Sequence, residues 1–438
     1  MESTVPPIET ITATTDLAPA AAVGDAELLA RFRPLFDDIA AGAVEREAGR
    51  RLPIEEIRRL RAAGFGALRV PRELGGSGVS LRQLFLLLTE LGAADSNLVQ
   101  ALRVHYRFTE ERLAERDTER GREWLRRIGS GVLVGNASSE RSGNVRGRTN
   151  TTLTPDGDRL VLNGTKYYST GSLYSDYISV AVTGDDGGRV TALVRNDTPG
   201  IELFDDYSGF GQYASASGTT VFTDAAVDPD NVITQQFRIA GQQAVLQLTH
   251  LATLAGIARR AVDDIAEFVR RRRRSYGHST ADLPRDEALV QQVIGKADAT
   301  AHAARDIVLS VAARLDRVVD DRRAYALLPE EDRTAEADNA IRDLEVAAEL
   351  DVYRAQSIVI ELVLRTTTEI FEVGGASALD ASLRLDRHWR NARTLSSHNP
   401  LIYRQRQIGD HLLNGTVPNN IPSVGEAPGL AADPAGEA

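Results

Sequence analysis

Apolar residues near the start of the chain recur at three- and four-residue spacing. From Asp25, the positions Leu28, Leu29, Phe32, Leu35, Phe36 and Ile39 share one helical face. Pro53, at a first-turn position, opens a second helix carrying Ile57 and Leu60, which Gly64 and Gly66 end. Ser80 followed by Gln83 predicts a capping box ahead of an apolar helix from Leu81 to Leu91. A further helix is expected from Ser96 through His105 to about Arg116. Near Val132 the period shortens. Leu133-Val134, Leu160-Val161-Leu162, Tyr167-Tyr168, Ile178-Val180-Val182 and Val190-Ala192-Val194 predict strands. They are punctuated by turns at Asp156-Gly157, Asn163-Gly164, Asp186-Gly187-Gly188 and Pro199-Gly200, and the sheet closes around Thr219 to Val227. Beyond about Phe237 the helical period returns in three long segments. Leu248 to Phe268 and Leu289 to Leu315 are the first two, and Ile341 to Leu362 runs on to Gly374-Gly375. The charged stretch Asp320 to Asp338 is expected to be an exposed loop. A shorter helical stretch, Arg387 to Gly415, closes the chain, and Pro400 biases Asn399 away from helical dihedrals, so the helix carrying Arg390 and Arg393 stops near His398.

The predicted class is α+β and mainly α: an N-terminal helical bundle (25–131), an antiparallel β-domain (132–236) and a C-terminal four-helix bundle (237–415). The flanks, 1–24 and 416–438, are rich in small residues and proline and are expected to be disordered. With 438 residues the chain is long enough for a large core, and the absence of cysteine excludes disulfides, thiolate zinc sites and thiol catalysis. A net charge of −11 argues against nucleic acid as a partner. No apolar run reaches spanning length and no basic-then-apolar leader is present, so no membrane contact is expected and the protein is placed in the cytoplasm. No Rossmann, P-loop or zinc-spacing motif occurs. Arg270 to Arg274 is either a solvated helix end or an anion site.

Chemistry concentrates in the closing stretch, which holds three of the seven histidines and one of the two tryptophans. His398 stands at a helix break. By residue type alone, His105 on an apolar helix reads more often as a satisfied core histidine, and Asn136 and Ser169 usually as polar edges of the sheet.

Five strings add to this reading: Gly135-Asn136-Ala137-Ser138, Asn163 to Gly171 (NGTKYYSTG), Ser217 to Phe222 (SGTTVF), Phe371-Glu372-Val373-Gly374-Gly375, and Trp389 to Gly415. With the order of elements, they resemble the acyl-CoA dehydrogenase superfamily over Ala26 to Gly415, and within it the flavin monooxygenase branch typified by dibenzothiophene monooxygenase. The resemblance implies a flavin between the β-domain and the C-terminal bundle. It implies a C4a-hydroperoxide that transfers oxygen to sulfur or nitrogen of a small organic substrate. His105 and His398 would flank that group, Ser169 would meet the flavin near N5, and Asn136 would position flavin or substrate. Ser138, Thr170, Phe371, Gly374, Gly375 and Asn399 would hold the cofactor, and Arg273 would reach a flavin phosphate across a subunit interface. Phe108, Thr109, Gln212, Tyr213 and Ser215 would line the substrate pocket. Thr109 stands where the branch has an aromatic residue and Tyr213 where it has arginine, so a planar sulfur heterocycle is not implied.

An FAD-dependent acyl-CoA dehydrogenase or oxidase is the alternative. Many such enzymes take the α-proton with a carboxylate in a Tyr-Glu-Gly string, where this chain has His398-Asn399-Pro400. Glu267 is the candidate for a carboxylate placed elsewhere. The bulky, acidic Phe371-Glu372-Val373 favours FMN over FAD. FMN would arrive reduced from a separate reductase, and a homotetramer would complete the site. A non-catalytic flavin-binding helical oligomer is the third reading.

Overall fold

The computed structural model describes residues 23–141, 149–183, 189–234 and 242–418. The tails, apart from 23–24 and 416–418, lie outside these residues, as do the Asp186-Gly187-Gly188 turn and the boundary at 236/237. The N-terminal stretch forms α1 (Asp25–Ala41), α2 (Ala43–Gly49), α3 (Ile54–Ala62), α4 (Leu81–Ala94), α5 (Ser96–Ala114) and α6 (Glu119–Gly129). The capping box of α4 is formed: Gln83 N donates to Ser80 Oγ at 3.1 Å and Ser80 N to Gln83 Oε1 at 3.2 Å. Pro53 is the residue before α3 rather than inside its first turn. Helix α6 was not expected. Its signal was present in Trp124, Leu125 and Ile128, all buried, and in Thr118, whose Oγ1 accepts from Gly121 N at 3.0 Å.

The sheet contains β1 (Val134–Ala137), β2 (Thr152–Asp156), β3 (Arg159–Lys166), β4 (Tyr177–Thr183), β5 (Arg189–Arg195), β6 (Ile201–Leu203), β7 (Thr220–Val227) and β8 (Val232–Ile233). Its order is β6-β7-β3-β2-β4-β5-β8, with β1 paired to β4. The pairing is antiparallel except for β1 and β2 against β4. Asn163-Gly164 does not turn the chain as predicted. It lies inside β3 as a bulge, where the register shifts against β7, Gly164 has φ 141°, and a Cβ would come 2.7 Å from Thr151.

The C-terminal part comprises α7 (Gln242–Arg271), α8 (Ala288–Ala326), α9 (Ala335–Glu369), α10 (Asp386–Ser397) and α11 (Leu401–Asn414). The predicted loop Asp320 to Asp338 is mostly helix: α8 continues to Ala326, and Thr334 caps α9 by accepting from Ala337 N at 3.2 Å. Charged residues on an exposed helix extension look like loop composition but carry no breaker. The closing stretch is two helices, split at Pro400 as expected.

A single apolar cluster runs from α1, α4 and α5 into α7, α8, α9 and α10. Helices α4 and α7 cross at backbone contact: a Cβ on Gly256 would meet Thr89 O at 2.5 Å, and one on Gly92 would meet Thr253 Cα at 3.2 Å. That crossing, and the short hinge at Asp95, lay α5 along α7. The first half of α5 is therefore buried on every side, between the C-terminal helices and the sheet.

Candidate active site

Two polar groups meet α5 from opposite sides. The first is built by the end of β1 and the turn after β3. Asn136 Oδ1 accepts from Ser138 Oγ at 2.7 Å, while its Nδ2 is 3.5 Å from Tyr168 O. Thr170 Oγ1 lies 2.8 Å from Ser217 Oγ, which lies 2.8 Å from Ser215 Oγ, a chain of three hydroxyls. Ser169 is 2% exposed and its Oγ has no partner among the described residues. A buried hydroxyl without a partner is costly and marks a place for a ligand group. Tyr168 carries φ 63°, a strained value for an aromatic residue, and leaves its ring half exposed. The turn sits directly on α5, since a Cβ on Gly171 (φ 78°) would be 2.2 Å from Ala101 O.

The second group joins α5, α7 and the end of α10. Arg103 Nη2 lies 3.2 Å from His398 Nε2, and His250 Nε2 lies 3.1 Å from Gln100 Oε1. The two imidazoles are 4.6 Å apart, centroid to centroid. A guanidinium only donates, so His398 accepts at Nε2 and carries its proton on Nδ1. His398 keeps more than a third of its surface accessible, although helices surround it. The surrounding helices and the Arg103 charge lower its pKa, and His250 is driven the same way by burial, Arg103 and His398. Both rings are neutral at ordinary pH. Gln356 of α9 donates to Asn399 O at 3.2 Å and so fixes the helix break.

Gln100, Arg103 and His250 were not singled out from the sequence. Ser96, Gln100, Arg103 and Arg107 do recur at three- and four-residue spacing, but such a stripe ordinarily marks a solvated face. Here Arg103 is 5% exposed, and its pKa falls to about 9 because of burial and the like charge of Arg107.

Other candidates lie apart from these groups. His105, 1% exposed, bonds Gly66 O through Nε2 at 2.8 Å and accepts from Val134 N at Nδ1 across 3.3 Å. Both nitrogens are committed to backbone, and burial lowers the pKa to about 4. Phe108 packs edge-on against Trp124, and Thr109 returns its hydroxyl to His105 O at 2.9 Å. Gln212 Nε2 donates to Ser96 Oγ at 2.8 Å and its backbone N to Asn391 Oδ1 at 2.6 Å. Tyr213 lies between Arg50 and Arg390, facing a crevice of about 30 Å³, room for about one water. Ser215 belongs to the Thr170 hydroxyl chain, and its Oγ also meets Gln212 O at 2.8 Å. Gly374 and Gly375 form a loop held by Arg272, whose Nη1 donates to Gly374 O at 2.7 Å, and by Tyr276. Phe371 packs against the helical core next to that loop, and Arg273 beside it is exposed. Glu267 is on the surface, paired with Arg270 and Arg271.

The family description "Acyl-CoA dehydrogenase, N-terminal domain" matches residues 27–132, and "Acyl-CoA dehydrogenase, C-terminal domain" matches residues 248–401, together more than half of the chain. The chain belongs to the acyl-CoA dehydrogenase family. Among its relatives, the dibenzothiophene monooxygenase of Rhodococcus qingshengii is 28% identical over 420 residues, which cover 90% of this chain and 95% of that one. The probable FMNH2-dependent monooxygenase SfnC of Pseudomonas putida is 27% identical, with 89% and 95% covered. Among solved structures, FMN-bound TdsC from Paenibacillus sp. A11-2 superposes with a TM-score of 0.79 at 24% identity, covering 89% of this chain and 98% of that one. No helix among the described residues is long and apolar enough to cross a membrane.

The first polar group suits a flavin. The unpartnered Ser169 hydroxyl, the Thr170 hydroxyl and the half-used Asn136 amide offer neutral donors and acceptors of the kind that a flavin's polar edge requires.

Proposed function

We propose that the chain is the oxygenase of a two-component system. It uses reduced FMN, supplied by a separate reductase, and molecular oxygen to oxygenate sulfur or nitrogen of a small organic molecule. The observation that carries this reading is His398, held by Arg103 at the helix break, where a dehydrogenase of the family often places its carboxylate. When bound, reduced FMN supplies the two electrons with which one atom of oxygen enters the product and the other leaves as water. Ser169, Thr170 and Asn136, with Ser138 behind Asn136, would orient the cofactor. His398, held by Arg103, would offer Nδ1–H as the proton for the departing oxygen. Its neutrality matters, since a strong base there would strip protons that the oxygen chemistry requires.

The dehydrogenase alternative finds no base at this place among the described residues: His398 meets Arg103 and His250, and Glu267 is engaged on the surface. A homotetramer would bring Arg273 and the Gly374-Gly375 loop of one copy to the flavin of another. It would also cover Ile402, Tyr403, Leu412 and Leu413 on α11, which are 58–84% exposed. A chain without cysteine suits the cytoplasm. The test is a screen of organic sulfides, sulfinates and amines under ¹⁸O₂ with a generic flavin reductase. Product one ¹⁸O heavier is expected, and label confined to water and hydrogen peroxide across the screen would reject the proposal.

A further inference from the structure

Among the described residues, Arg103 pairs with no carboxylate. Four of the other buried arginines pair with carboxylates, Arg46 with Glu56 and Asp95, Arg61 with Asp176, Arg112 with Glu115 and Arg387 with Asp264, while Arg404 bonds the Tyr353 hydroxyl and Gln407. Arg103, at 5% exposure, meets only the ring of His398, and its Nε has no partner among the described residues. The nearby charge is Arg107, of the same sign, itself paired with Glu111. An uncompensated guanidinium inside a protein carries a large desolvation penalty, and a carboxylate one turn away would have removed it.

Resting on the oxygenase reading of this site, we propose that Arg103 is the anchor for an anionic group on the substrate, a sulfinate, sulfonate or carboxylate. The guanidinium presents N–H groups in a flat fork that matches two oxygens of such a group. Its Nε–H has no partner among the described residues, and Nη2 already touches His398, whose ring reaches solvent. Gln100 and His250 add neutral polar groups alongside. A substrate anion docked there is held next to the histidine proposed to serve the oxygen chemistry. The same fork could instead answer the negative charge of reduced FMN, and the experiment separates the two.

The test is calorimetric titration of the full chain, in saturating FMN, with benzenesulfinate and with its uncharged counterpart methyl phenyl sulfoxide. The wild-type chain is expected to bind the sulfinate at least about tenfold more tightly. Arg103→Gln should abolish that preference without changing sulfoxide affinity, and Arg103→Lys, which keeps the charge but not the fork, should retain part of it. No preference in the wild type, or an undiminished preference in Arg103→Gln, would overturn the proposal. So would a variant that binds sulfinate normally but reduced FMN weakly, since the flavin would then be the counterion. If Arg103→Gln does not fold by circular dichroism, Arg103→Lys decides, and an unchanged preference there contradicts the fork. Failure of the oxygenase reading looks different: Arg103-dependent sulfinate binding with no ¹⁸O product from any compound sinks that reading and upholds the anchor.

Discussion

Arg103 Nη2 and His398 Nε2 lie 3.2 Å apart, and since arginine only donates, the contact fixes the single imidazole proton on Nδ1. The tautomer of the proposed catalytic histidine is thus set by a residue on another helix. His398→Ala is expected to leave FMN binding largely intact while oxygen consumption uncouples into hydrogen peroxide. Product per oxygen consumed should fall by about 10²-fold, the scale of one positioned proton donor. Parallel assays of peroxide and product measure it, and an unchanged ratio rejects the role.

His105 makes the opposite case. Its two nitrogens satisfy Gly66 O and Val134 N. His105→Ala would leave both backbone groups unpaired beside a cavity, so a loss of about 2–4 kcal/mol in stability is expected. Coupling of oxygen to product should persist in the folded fraction. Urea unfolding beside the peroxide assay checks this, and a stable but uncoupled variant would return His105 to the catalytic group.

Acid sensitivity follows from the same residue. Burial lowers the folded pKa of His105 to about 4, below its ordinary value of 6.5. The unfolded chain therefore takes up the proton first as pH falls. The stabilisation is complete above pH 6.5 and is lost progressively toward pH 4, costing about 2 kcal/mol by pH 5. His250 and His388 are shifted in the same direction by burial and deepen the loss. The urea midpoint should drop between pH 7.5 and pH 5, and a constant midpoint would contradict these assignments.

Gly171 couples the turn proposed to hold the flavin to α5. With φ 78° and Ala101 O 2.2 Å from a would-be Cβ, Gly171→Ala must push the turn away from the helix. A cost of about 2 kcal/mol or more is expected. FMN affinity should fall with it, as equilibrium dialysis would show. Wild-type affinity in the variant would mean that this turn does not hold the cofactor.

The order of elements was legible because helical and strand periods alternate cleanly, and the Ser80–Gln83 box and the break at Pro400 announced themselves. Asn163-Gly164 misled because the dipeptide that makes a hairpin turn also makes a bulge, and pairing with β7 decides between them. The Asn136, Ser169 and Thr170 group could be named from the matching strings. Its partner across α5 could not. Gln100 and Arg103 occupy what looks like a solvated stripe, and only the crossing of α4 and α7 at Gly92 and Gly256 turns that stripe inward onto His250.

The most direct measurement is anaerobic visible spectroscopy of the purified chain, before and after addition of an acyl-CoA thioester and then of reduced FMN. Protein that is nearly colourless, indifferent to the thioester and able to bind one reduced FMN per protomer is the predicted result. Protein that stays yellow with stoichiometric FAD and is bleached by the thioester would contradict the oxygenase assignment.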